Sequence, residues 1–198
     1  TVPDTVQNWK KWYRFPHRTA PVKIALDEWG IWEQQEPPYG TTNTYEWRHG
    51  LATACFLNAI LHNAEHIGMA NWAQMVNILA PIMTNTQTSV KQTVFFPLKE
   101  YRIQSLKESV QAKAQSPIIE EGLQSINVSA TIDRDKKQMT VNIVNINPQS
   151  LKTKLRFSGC KIGKLLKTTV MTATSLDAKN KLDTPDKNVA VSYTHLTL

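Results

Sequence analysis

The chain has 198 residues, 41% of them hydrophobic and 20% charged, and 23 Lys+Arg against 16 Asp+Glu give a formal net charge of +7. This is ordinary globular composition, enough for one large domain or two small ones around a real core. The basic residues are scattered, most heavily through the second half, instead of forming a patch, which argues against a nucleic-acid partner, and no run of about 18 apolar residues could span a membrane.

Taken in chain order, residues 5–14 fit a short helix with a basic last turn, and Pro16 and Pro21 break it. The N-terminal stretch TVPDTVQNWKKWYRF has no signal-peptide core, and Thr1 in place of Met reads as a chain cut from something longer. VKIAL, from Val22 to Leu26, is a buried strand. Residues 33–44 form a loop by their Pro-Pro and Gly. Trp47, Leu51, Ala54, Leu57, Leu61 and Ala64 then recur at helical spacing, widened by Phe56 and Ile60, which predicts a helix packed on more than one side.

IGMANW begins a second strand, followed by an apolar segment that Pro81 bends or ends and that reads as more buried than exposed. Pro97 sits where a helix starts, and Ile103, Leu106 and Val110 give that helix an apolar face as far as about Gln111. The order so far is strand, helix, strand, helix. From Ser116 the pattern changes. Val128, Ala130 and Ile132 alternate, DRDKK turns the chain, Met139, Val141 and Ile143 alternate again, and Leu155 and Phe157 repeat the period. Three regions follow: an α/β part over 1–112, an all-β part over 113–191, and the tail 192–198, which is out of step with what precedes it and reads as non-native. Cys55 and Cys160 have neither metal-knuckle nor disulfide-framework spacing, so both are read as buried free thiols.

The chemistry-bearing candidates are few. Asp27 and Glu28 stand at the end of the first strand, where barrel and doubly wound enzymes hold catalytic groups, because the strand fixes the Cβ and the loop beyond opens a pocket. A loop charge or helix cap is the commoner role for such an acid. Trp29 and Trp32 shift the balance, since aromatic faces stack on sugar rings while a carboxylate stabilises an oxocarbenium ion. His62, Glu65 and His66 match the H-x-x-E-H pattern of zinc peptidases, but no acidic helix follows to supply a further ligand, and a polar helix C-terminus at the surface is the preferred reading. Asn71, Gln74 and Asn77 lie in an apolar stretch, where amides must bond to backbone or to a ligand. Asn127 opens a formal glycosylation sequon at the start of a strand.

Three ordered motifs, IALDEWGIW, YEWRHGLATACFLNAILHNAEHIGMANWAQMVNILAPIMTN and FFPLKEY, together resemble the C-terminal part of family 51 glycoside hydrolases, the α-L-arabinofuranosidases. The resemblance continues through VSATIDRDKKQMTVNIVN to TATSLDAKNKLDTPDKNVA and covers roughly residues 20–191. It implies the last two βα units of a (β/α)8 TIM barrel followed by a jelly-roll-like antiparallel β-sandwich. By resemblance Glu28 is the catalytic nucleophile, Trp32 walls the arabinose subsite and Gln74 hydrogen-bonds the sugar. HNAEH then falls at the end of a barrel helix. The resemblance implies retaining hydrolysis of arabinose-containing polysaccharide or oligosaccharide without a cofactor. Family members occur both inside cells and secreted, and oligomers are common among them.

Departures accompany the match. A (β/α)8 barrel takes about 250 residues, and only the first 112 here precede the β region. The family's general acid/base glutamate belongs to an earlier strand than any in this chain. Gly30 replaces a usual Asn, and Arg48-His49 a frequent Glu-Asp on what helical phase makes the outside of the barrel. The expectation is an arabinofuranosidase fragment that is inactive alone. The alternative is a non-catalytic carbohydrate-binding β-sandwich, although residues 117–191 offer Phe157 as their one Phe and no Trp for stacking.

Overall fold

The computed structural model describes residues 21–32, 44–120, 122–183 and 189–195, besides the single positions 4, 8 and 19. The helix expected over 5–14, Asn8 apart, and the loop over 33–44, Thr44 apart, lie outside the described residues. Strand β1 (Ile24–Trp29) runs parallel to β2 (Ile67–Trp72), and helix α1 (Trp47–His62) connects them, as a crossover between parallel strands requires. A hairpin, β3 (Ile82–Thr84) with β4 (Ser89–Lys91), precedes helix α2 (Phe95–Gln104). The later chain is antiparallel. β5 (Glu108–Val110), β8 (Ile126–Asp133) and β9 (Gln138–Asn145) form one sheet in the order β5-β8-β9. β6 (Ile118–Glu120) pairs with β7 (Leu123–Gln124), and β10 (Lys167–Ala173) with β11 (Val189–His195).

Helix α1 is the hub. Its N-terminal half packs Trp47 and Leu51 against Phe96, Met171, Ala173 and Ala178, and its middle packs Ala54, Cys55 and Leu57 against Tyr101, Val144 and Ile146. The helix is therefore covered on several sides, by α2, by the β5-β8-β9 sheet and by the β10 region. Gly50 permits the closest approach, because a Cβ there would stand 3.2 Å from the Thr93 carbonyl oxygen. The face that is fully buried is more polar than the predicted stripe, with His49, Thr53 and Asn58 inside alongside Trp47 and Ala54. Asn58 explains why. Its Nδ2 donates to Asn127 Oδ1 at 2.6 Å, and its Oδ1 accepts from Tyr101 Oη at 2.7 Å and Ser129 Oγ at 2.5 Å. Asn142 Nδ2 donates to the same Ser129 Oγ at 3.0 Å, so one amide joins α1, α2, β8 and β9. The sequon residue Asn127 is thus engaged in this interface.

The first turn of α1 is finished by distant chain. The Trp47 N–H donates to the Ala178 carbonyl at 2.7 Å and the Arg48 N–H to that of Leu176 at 2.9 Å, satisfying amides that a helix start leaves open. His49 Nδ1 accepts the Glu46 N–H at 2.8 Å, and Arg48 pairs with both Glu46 and Asp177. Of the pair expected to face outward, Arg48 is exposed and reaches the 175–180 loop, whereas His49 needs correction, being only 5% exposed beneath Tyr45.

Other readings also change. The second helix stops at Gln104 instead of continuing to Gln111: Ser105 turns to extended backbone, Ile103 is exposed, and Ser109 and Val110 pair with Thr131 and Ala130 of β8. The antiparallel sheet therefore begins at Glu108, before the division read at 112. Leu155 and Phe157 lie in an irregular, exposed segment, not a strand. Cys55 is half-buried, whereas Cys160 is exposed after the left-handed turn at Gly159, so only one thiol is sheltered. Burial pushes the Cys55 thiol up to about 11. Residues 192–195 of the tail run in β11, with Lys167 opposite His195. Among the described residues, no helix is long and apolar enough to cross a membrane.

Candidate active site

Both strands of the parallel pair end at the same level, with Trp29 opposite Trp72 and the Ala73 N–H donating to the Trp29 carbonyl at 2.7 Å. Glu28 stands one residue before that end, Trp32 three residues beyond it on β1, and Gln74 two residues beyond it on β2. The topology thus brings all three candidates to the C-terminal edge of one parallel sheet, where α/β proteins open their sites.

The acids sit in a bulge. From Leu26 to Trp29, β1 advances three residues while its partner advances two, from Ala70 to Trp72, so one residue is extra at Asp27-Glu28. A bulge removes a residue from the ladder and re-aims its side chain, and bulges gather beside active sites. Asp27 Oδ1 accepts the Glu28 N–H at 3.1 Å, a local bond that replaces a ladder partner. The two carboxylates therefore have different work: Asp27 is tied to the backbone, and Glu28 is exposed and turned to solvent.

Aromatic side chains back the bulge. Trp29 is buried, with its ring 4.8 Å from that of Phe56 and 5.0 Å from that of Trp72, and its indole N–H has no partner among the described residues. Trp32 is 55% exposed and so offers a free face. Gly30 lies between them: a Cβ there would meet the Trp72 ring at 3.5 Å and the Trp32 ring at 3.6 Å, ordinary van der Waals contacts.

The loop after β2 departs most from expectation. Residues 71–79 are not mainly buried: Asn71, Gln74, Met75, Val76 and Ile78 are exposed, because β1 and β2 form a two-stranded sheet that covers little of the loop. Gln74, Asn77 and Ile78 have φ of 64°, 59° and 52°, left-handed conformations that cost a β-branched residue such as Ile78 most. Side-chain bonds hold the shape. Asn77 Oδ1 accepts the Thr84 N–H at 2.7 Å, and Gln74 Oε1 accepts the Leu79 N–H at 3.3 Å. Both amides satisfy backbone here, and Gln74 keeps its NH2 group for other partners. No pattern of hydrophobicity signals such a loop; the alternation of Asn, Gln and apolar residues was the one visible hint.

The zinc-like residues are elsewhere. His62 and Glu65 are exposed at the far end of α1, and His62 Nε2 lies 2.7 Å from the Val128 carbonyl. Among the described residues, no group of three or more His, Cys, Asp or Glu is placed to hold a metal ion. They line, with Leu61, Ser109 and Gln111, a shallow hollow of about 350 Å³ remote from the strand ends.

Residues 27–197 match the family model of the alpha-L-arabinofuranosidase C-terminal domain. A probable alpha-L-arabinofuranosidase C from Aspergillus niger is 38% identical over 77 residues, which are 38% of this chain and 15% of that protein. An intracellular exo-alpha-(1->5)-L-arabinofuranosidase from Streptomyces lividans is 24% identical over 185 residues, 85% of this chain and 28% of the relative. The chain thus spans well under a third of the curated relatives it matches. Among solved structures, a family 51 α-L-arabinofuranosidase from Bifidobacterium longum superposes with a TM-score of 0.75 at 21% identity, over 98% of this chain and 40% of that one. The Thermotoga maritima α-L-arabinofuranosidase, solved as an arabinose complex, gives 0.72 at 21% identity, over 88% and 39%. At these identities the structural likeness speaks to fold alone.

Proposed function

The chain belongs to the alpha-L-arabinofuranosidase C-terminal domain family, and on that premise we propose that it is the nucleophile-bearing part of an enzyme that removes terminal non-reducing α-L-arabinofuranosyl units from arabinan or arabinoxylan. The observation that carries the proposal is the bulge, which frees Glu28 from the β1 ladder at the strand edge shared with Gln74 and next to the exposed Trp32. In this reading β1, α1, β2 and α2 are the last two units of a (β/α)8 barrel, and the antiparallel sheets complete a β-sandwich.

The mechanism is double displacement with retention. The Glu28 carboxylate attacks the anomeric carbon as a second carboxylic acid, about 5–5.5 Å away, protonates the departing glycosidic oxygen, and the C–O bond breaks. The same second group then takes a proton from water, whose oxygen attacks the anomeric carbon and releases Glu28 from the ester. Trp32 supplies an apolar wall, and the Gln74 NH2 donates to a sugar hydroxyl while its Oε1 stays on Leu79. The acid/base is assigned to an earlier barrel strand than any in this chain, so the chain by itself turns over no arabinofuranoside.

The test places this chain in the matching segment of the Streptomyces lividans relative and follows hydrolysis of 4-nitrophenyl α-L-arabinofuranoside. Loss of about 10³-fold or more on Glu28→Gln, with azide restoring turnover to Glu28→Ala as an arabinosyl azide, is expected. Turnover unchanged by Glu28→Gln would refute the assignment, and turnover by the unfused chain would refute its inactivity.

A further inference from the structure

We propose that Tyr45 is a positioning residue for this site, holding the loop that carries Trp32 and the loop that carries Gln74 at a fixed separation. The inference rests on the reading of Trp32 and Gln74 as sugar-contacting groups. Tyr45 lies just before α1 and is 1% exposed. Its hydroxyl oxygen is 3.0 Å from the Ile31 carbonyl, next to Trp32, and 3.0 Å from the Leu79 carbonyl, whose own N–H binds Gln74.

A phenol has one proton for two acceptors. The Leu79 carbonyl already accepts the Trp72 indole N–H at 2.9 Å, so the Tyr45 proton is needed most by Ile31, in the β1 loop. Tyr45 is itself held in place. The Tyr45 N–H donates to Gln92 Oε1 at 2.8 Å, Gln92 Nε2 donates to the Ala80 carbonyl at 2.8 Å, and the ring sits edge-on to Trp72 with centroids 6.0 Å apart. Gln92 is fully buried and also donates its N–H to Pro81 at 2.8 Å. One buried pair thus fastens, at Leu79–Pro81, the C-terminal end of a segment with three left-handed residues, most of them exposed, while the Tyr45 ring packs on Trp72 at its start. The sugar-facing side chains stand on the outer surface of what Tyr45 fastens beneath.

Tyr45→Phe removes only the hydroxyl. In the unfused chain, amide hydrogen exchange at Ile31–Trp32 and over 74–80 should quicken about tenfold, while amides in the middle of α1 keep their rates. In the hybrid enzyme, Tyr45→Phe should raise KM about tenfold and change kcat less than threefold, because ground-state placement of the sugar is loosened. Asn58→Ala is the control for plain destabilisation: it lowers the melting temperature more and leaves KM where it was. Unchanged exchange in the two loops, or a KM shift equal in Asn58→Ala and Tyr45→Phe, overturns the proposal. A hybrid without turnover overturns the proposed function instead, and exchange in the chain still decides the role of Tyr45.

Discussion

Two sides of α1 face different kinds of neighbour. Toward α2, β8 and β9, Asn58 is fully buried and every polar atom of its side chain is bonded. Toward the parallel pair, β1 and β2 pair only with each other among the described residues, and Trp32, Met69, Met75, Val76 and Ile78 are between 46% and 64% exposed. The first region is complete within the chain. The second is a two-stranded parallel sheet, and such sheets belong to folds in which further strands and helices cover both faces. Stability and chemistry are therefore separated: the sealed side holds the chain together, and the open side carries the groups assigned to catalysis.

If that division is right, substitutions on the sealed side must cost far more than those on the open side. Asn58→Ala should destabilise the chain by about 3 kcal/mol in urea unfolding, since it strands the buried Tyr101 and Ser129 hydroxyls and the Asn127 amide. A cost below about 1 kcal/mol would erase the distinction. On the open side the sign should reverse for Ile78→Gly, which relieves a left-handed β-branched residue and should gain about 0.5–1 kcal/mol. Arg48→Ala should cost less than about 1 kcal/mol, because both Arg48 and Asp177 are more than half exposed and screened by solvent. Smallest of all, Glu28→Gln should leave the urea midpoint unchanged within error, as expected for an exposed group in a bulge.

Acid should reveal the same asymmetry. The Lys136 and Asp135 N–H groups and the nearby Lys107 hold Asp133, at the β8–β9 turn, below the usual carboxylate range. A lowered folded-state value means stability that is present above pH about 3.8 and lost as pH falls below it. Asp133→Asn should flatten that limb of the stability profile. Thiol chemistry offers a further check: a disulfide reagent at pH 8 should modify Cys160 rapidly and Cys55 only after unfolding, given the burial that raises Cys55.

Much of the architecture was legible from local pattern. The spacing from Trp47 to Leu61 identified α1, the run VKIAL located β1, and alternation around DRDKK gave β8, β9 and the turn between them. Errors arose where a period continued without its element. Leu106 and Val110 keep the helical spacing of Ile103, yet pairing with β8 claims Ser109 and Val110, and Leu155 and Phe157 alternate with no strand beside them. The candidate residues themselves came from a motif and a resemblance. Their surroundings could not: the bulge depends on register with β2, the burial of His49 on Tyr45, and the Arg48 pair on a residue 129 positions later.

That last separation also has a meaning in time. The carbonyls of Leu176 and Ala178 that close the first turn of α1 leave the ribosome long after Trp47 and Arg48. At 5–20 residues per second the interval is roughly 6–25 s. Throughout it the helix that follows β1 has an unfinished start, so this part of the chain waits as a nascent intermediate until residues 176–178 have emerged.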